Sequence, residues 1–251
     1  MQKDLYVRGM GRAGHKFSSM EEFTRTRLAT GTMLFGLIVL VTSLAQTHAQ
    51  HPYADKFTFS AVITTGQSIT GKIVINGVES TLGATAFNTS SAQTLTDFAT
   101  NHTTTYDSAD VPVTVTSSGL AITVATTAGN QVYFKDIAVT SGAQTLVWDV
   151  TKKITGASKN YSKEMTSSGV YNMRQADGDY VDVIEKGDLW LVCEDEDIDP
   201  TVDNVYVRVK SATDKVVGAI KKSADSGAAV LVSNAKFLTT ESNGTVPVLF
   251  T

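Results

Sequence analysis

Cysteine is all but absent: Cys193 stands alone in 251 residues, so no internal disulfide can form and stability must come from a packed core, which a chain of this length can supply as one large or two modest domains. Histidine is nearly as scarce, and His15, His48, His51 and His102 are too scattered for a zinc-binding spacing, so no metal or other cofactor is expected. Basic excess is missing too. The 21 Lys and Arg meet 25 Asp and Glu for a net charge of −4, which lacks the electrostatic footprint of phosphate binding and excludes nucleic acid as an expected partner. Charged residues are few at 18%, but 42% hydrophobic residues make the composition globular rather than disordered. No apolar run reaches the ~18–20 residues of a membrane span, since the one at 33–45 is interrupted by Gly36 and Thr42; no membrane partner is expected.

That run, followed by Thr47-His48-Ala49, imitates a secretory leader, yet it starts after some thirty residues and has Glu21 and Glu22 upstream, unlike a short basic n-region. Its Ile, Val, Leu and Phe content instead predicts a buried strand from Met33 to Val41. Before it, residues 1–32 carry six basic residues against three acidic ones among Gly9, Gly11 and Gly14, the pattern of an extended arm.

What the chain has in quantity is threonine, roughly one residue in seven, together with serine and valine, while proline numbers four. β-Branched residues suit a pleated, half-buried surface, so the expected class is mainly β. Between residues 54 and 150 arginine disappears, and a separate β-rich unit with one short helix is predicted. Strands are expected at 57–63 and 69–75, the latter ending at Asn76-Gly77, the favoured type I′ hairpin dipeptide, with a third starting at Val78. The capping-box pattern from Ser90 to Gln93 leads into Leu95, Phe98 and Ala99, spaced for one face of a helix of about three turns. Strands at 111–115, 120–124, 132–139 and 146–148 complete the unit.

Beyond a polar stretch at 152–174, strands return. Tyr180 to Ile184 meets Gly187-Asp188 and then the apolar run Leu189 to Cys193; Val205, Val207 and Val209 alternate with Tyr206, Arg208 and Lys210 as in a half-buried strand. Further strands are expected at 216–220, 228–232, 236–238 and 246–250. Pro247 has no N–H to donate, which places the last of them at a sheet edge.

No arrangement of catalytic residues emerges. The acidic run from Glu194 to Asp199 starts like an EF-hand loop, but Pro200 occupies the position that needs Gly and Tyr206 the position that needs Glu, so the run reads as a solvated loop. Its carboxylates have no second partner across a cleft for glycoside hydrolysis. Nucleophile-elbow, phosphate-loop and zinc-protease motifs are absent; Cys193, Trp148 and Trp190 sit in apolar strands and read as core.

The C-terminal third carries a pattern of a different kind. The stretch Tyr180-Val-Asp-Val-Ile-Glu-Lys-Gly-Asp-Leu-Trp-Leu-Val-Cys-Glu194, then Val205-Tyr-Val-Arg208, Gly218-Ala-Ile-Lys-Lys-Ser-Ala-Asp225, Ala235-Lys-Phe-Leu-Thr-Thr240 and a closing segment 244–250 resembles the structural cement (capsid decoration) proteins of tailed bacteriophages, in order and spacing, over roughly seventy residues. Gly11 to Gly14 and Leu34-Phe35-Gly36-Leu37-Ile38-Val39 are similar to the Gly-rich opening and Phe-Gly strand of that family. The resemblance implies a turn at Lys186-Gly187 between two strands, within a β-barrel-like cement domain from residues 1–53 and 151–251, with 54–150 as an inserted β-rich domain that departs from the family pattern. It implies a non-enzymatic virion protein on the capsid exterior, with the major capsid protein and further copies of itself, as a trimer or other homo-oligomer, for partners. The expected contact residues are Arg8, Arg12, Arg25 and Arg27 of the basic arm and Val246, Val248 and Phe250 of the edge strand. The rival readings are a secreted or surface-anchored bacterial adhesin-like β-sandwich and a phage tail or baseplate protein.

Overall fold

The alternating, Thr-rich stretches fold as strands almost throughout, and the molecule is mainly β, with one α-helix among the described residues. The structure is a computed structural model that describes residues 22–31, 33–34, 36–41, 48–127, 129–158, 174–175, 180–240 and 244–251. The chain opens with β1 (Phe23–Ala29), β2 (Met33–Leu34), β3 (Ile38–Val41) and β4 (His48–Gln50). It continues through β5 (Lys56–Phe59), β6 (Ser68–Ile75), β7 (Val78–Ala86), α1 (Ser91–Tyr106), β8 (Val113–Ser118), β9 (Ala121–Thr126), β10 (Val132–Thr140) and β11 (Leu146–Asp149). It closes with β12 (Ile154–Ser158), β13 (Arg174–Gln175), β14 (Tyr180–Val192), β15 (Tyr206–Arg208), β16 (Ile220–Lys221), β17 (Ala229–Leu231), β18 (Ala235–Phe237) and β19 (Thr245–Phe250).

Among the described residues, the strands between 54 and 150 pair only with one another, in a sheet ordered β10-β6-β7 and a second ordered β11-β5-β9-β8. Asn76 (φ 49°) and Gly77 (φ 82°) take the left-handed conformations that a two-residue hairpin turn needs. Ser90 caps α1 by accepting the Gln93 N–H at 3.1 Å; the Gln93 side chain donates to Asp97 instead of reaching back, so only half of the capping box forms. At 16 residues the helix runs past its expected three turns. Its composition does not favour this, because Thr94, Thr96, Thr104 and Thr105 each bond the carbonyl four residues back, a habit that weakens helices. Packing compensates: Leu95, Phe98, Ala99 and His102 form one buried stripe. The helix also seals a sheet edge, since the Thr103 hydroxyl accepts from Val115 N–H and donates to Val115 C=O while Asp107 accepts from Val113 N–H. Phe57 lies at the centre of the core, with the rings of Phe134, Phe59, Trp148 and Phe98 at 5.1, 5.4, 5.7 and 6.3 Å.

The remaining strands form sheets of their own. The largest is ordered β1-β4-β3-β12-β14-β19-β18, and because β1 also pairs with β14, five of its strands close a circuit of hydrogen bonds. Ala29, Val39, Ala49, Val181 and Val183 from this circuit, with Met33, make a small separate core. The apolar run expected as one strand from Met33 to Val41 is two, β2 and β3, split around Gly36 at φ 70°. The Lys186-Gly187-Asp188 turn is also absent: β14 runs through it as a single 13-residue strand and exchanges partners there, β1 and β12 before Gly187 and β19 after it. Gly187 makes this possible with φ 112°, and a Cβ there would come within 3.0 Å of Glu22.

Pro247 is likewise not at an edge, because β19 lies between β14 and β18. The Pro247 carbonyl accepts from Leu238 N–H at 3.0 Å, and the missing N–H falls on that same side, where β18 has already ended at Phe237. The proline thus ends the β18 ladder without disturbing the β14 ladder.

The two parts of the chain share one continuous buried apolar cluster, and where the chain passes between them they are clamped at a neck. Asp55 accepts both the N–H and the hydroxyl of Thr151 at 2.7 Å, Ala54 N–H bonds the Val209 carbonyl, and the rings of Tyr53 and Tyr133 stack 4.0 Å apart. Burial raises the Asp55 carboxyl above the usual range despite the Thr151 bonds.

Candidate functional site

The expected contact residues separate on inspection. Val246, Val248 and Phe250 are buried between β14 and β18, so their side chains belong to the core and the edge-strand contact is corrected. Arg27 is also removed from the surface: it is 3% exposed and ion-paired with Glu185. Arg25, two residues earlier, remains accessible, with its guanidinium over the exposed ring of Phe23 at 5.0 Å and 3.5 Å from Glu185. Arg8 and Arg12 lie outside the described residues.

Charge gathers instead in the C-terminal third. Arg208, expected on the polar face of its strand, is buried, and its Nε reaches the two Glu194 oxygens at 2.7 and 2.8 Å while Nη2 reaches Asp225 at 2.6 Å. Lys221 extends the cluster, with Nζ 2.9 Å from Asp195 and 3.5 Å from Glu194, and Asp195 also accepts the Lys222 N–H. Burial pulls the Arg208 guanidinium down, but the bonds to Glu194 and Asp225 outweigh it and the net shift is upward. At Asp225 burial pushes up, and Arg208 and Lys221 overcome it, so this carboxyl titrates below its usual range.

The acidic run is therefore not one solvated loop. Glu194 and Asp195 turn inward to cations, Ile198 is buried as an anchor, and Asp199 folds back to accept from Thr201 N–H and hydroxyl. With its leading carboxylates committed to Arg208 and Lys221, the run offers no calcium loop. Among the described residues no group of three His, Cys, Asp or Glu is arranged to hold a metal ion, and no helix is long and apolar enough to cross a membrane. Cys193 and Trp148 are buried, as the apolar strands around them require.

Little in the order of residues announces this cluster. Its members come from three separate places in the chain, 194–195, 208 and 221–225, and only the fold unites them. Their positions are informative all the same: Glu194 closes the first stretch of the pattern in the C-terminal third, Arg208 closes the second, and Lys221 and Asp225 belong to the third. Compared with models of known protein families and with curated proteins, the chain matches none.

Proposed function

We propose that this chain is a structural cement protein of a bacteriophage virion, without enzymatic activity. In this reading it sits on the capsid exterior as a homo-oligomer and bridges major capsid protein subunits, and residues 1–53 with 151–251 form a β-barrel-like cement domain into which 54–150 is inserted. One observation carries the reading: three separate stretches of the cement-type pattern supply Glu194, Arg208, Lys221 and Asp225 to one ion cluster, and the remaining stretches, β18 and β19, continue the sheet begun by the first. A pattern scattered along roughly seventy residues thereby has a single physical purpose, the joining of loops to one sheet. The closed circuit through β1 and β14 supports the barrel-like description, and Arg25 over Phe23 is the accessible part of the expected contact surface.

The physics of such a role is mass action. A protein that binds only the assembled, expanded shell stabilises that state by its binding free energy. The test is co-sedimentation of the purified full-length protein with undecorated, expanded phage heads, titrated to saturation and followed by heating. Saturation at a fixed ratio to the major capsid protein, with heads surviving hotter, is the expected result. No binding by the folded protein overturns the reading and moves the weight to a tail, baseplate or cell-surface protein.

A further inference from the structure

A groove of about 370 Å³ opens where the chain leaves the β11 sheet, at residues 150–154, and passes residues 230–234. Val150, Ile154, Val230 and Leu231 give it apolar walls, and Lys152 and Lys153 line it as well. Leu231 is 48% exposed at its rim.

Two independent features describe what fits. The first is an open sheet edge. β17 is an outer strand of the sheet β16-β15-β17, and the bonds Val232 N–H to Val205 C=O and Val209 N–H to Ala228 C=O turn alternate residues of this segment toward β15. Leu231, between them, turns its N–H and C=O to the other side, where no described strand pairs with β17. The second feature is charge. Lys152 and Lys153 both line the groove and, like Lys186, Lys210, Lys222 and Lys236, have no carboxylate within 4.0 Å among the described residues. Lys152 is set apart from those others by partial desolvation, which pulls its ammonium below the ordinary lysine range and which the nearby Asp55 offsets only in part.

We infer that this groove docks an extended segment of a protein partner, which adds a strand at the open edge of Leu231, seats apolar side chains on Val150 and Val230, and presents a carboxylate to Lys152 and Lys153. Main-chain pairing supplies affinity and the lysines supply selectivity. The inference does not rest on the shell-binding reading, since it states the chemistry of the segment and not the particle that carries it.

The test uses the full-length, isotope-labelled protein and a capped hexapeptide of alternating valine and glutamate, followed by the backbone amide shifts of Leu231, Ser233, Lys152 and Lys153. Saturable shifts at these four amides are expected, with the glutamine version binding about tenfold more weakly for loss of the charge-assisted contact. The exchange K152E/K153E should abolish binding of the glutamate peptide and create binding of its lysine counterpart. Should that double variant not fold, Lys153→Gln at the more exposed position is read in its place, with the preference for glutamate over glutamine expected to shrink. Shifts that never saturate, equal binding of the glutamate and glutamine peptides, or equal saturation by free glutarate each overturn the inference, the last by making the groove a small-acid site.

Discussion

The span 54–150 and the rest of the molecule hold themselves together by different means. The first holds three lysines, no arginine and seven acidic residues, which accounts for the whole net charge of −4, and its centre is a set of aromatic rings around Phe57. The rest is electrically balanced, has a core dominated by Val, Ile and Leu, and buries Arg208 against Glu194. Phe and Trp rings carry no titrating group, so that packing feels pH only through His102 beside Phe98, but it is sensitive to loss of volume. An ion cluster has the opposite weaknesses, because a charge left without its partner costs more than the pair contributes. The two tryptophans fall one to each part, Trp148 and Trp190, so single-tryptophan variants can read each part separately.

The largest effect should come from Phe57→Ala, which opens a cavity among four rings and should cost about 3–5 kcal/mol. Denaturant unfolding read by Trp148 in a Trp190→Phe background should show most of that loss, and Trp190 in a Trp148→Phe background much less. Equal shifts at both would break the comparison and make the two parts one cooperative unit. Next is Arg208→Met, which strands Glu194 and Asp225. Lys221 still compensates in part, so a loss of roughly 3 kcal/mol is expected, at the low end for a broken buried pair, and it should register first at Trp190. Ser90→Ala removes the α1 cap and should cost about 1 kcal/mol, read by Trp148.

The smallest effect sharpens the comparison through pH. Burial lowers the His102 imidazole below its ordinary 6.5. As pH falls through that value the unfolded chain takes up a proton that the folded chain refuses, so stability is full above 6.5 and declines below it. Asp225 behaves differently: its folded carboxyl lies below the ordinary 3.8, so its contribution is present above 3.8 and is lost as pH drops through the lowered folded value. In acid titration the Trp148 signal should therefore weaken first and Trp190 later, and His102→Leu should flatten the earlier decline.

Features governed by near neighbours were readable in the sequence. Asn76-Gly77 dictates its turn, Ser90 its cap, and alternation along 132–140 its strand, because each depends on a few adjacent residues. Features decided by distant partners were not. Gly187 looked like a turn because a glycine after a lysine carries no record that β1 lies on one side of it and β19 on the other. Pro247 announced a missing donor but not the direction in which it is missed. Arg208 sat in a clean alternating pattern that assigned it to water, and Glu194, Asp225 and Lys221 arrive there from other loops. The groove beside Lys152 had no signature, since its two sides stand about eighty residues apart.

The clamp of Asp55 on Thr151 also has a consequence in time. During synthesis from the N-terminus, β1 has no partner in β14 until residues 180–186 exist, whereas every strand between 56 and 149 pairs within that span. The inner sheets can therefore complete their hydrogen bonds on a shorter nascent chain, at a stage when β1 is still waiting. Once Asp55 engages Thr151, nearly a hundred residues no longer count toward the loop that β1 and β14 must close. The span that interrupts the outer sheet along the chain shortens the search by which that sheet is made.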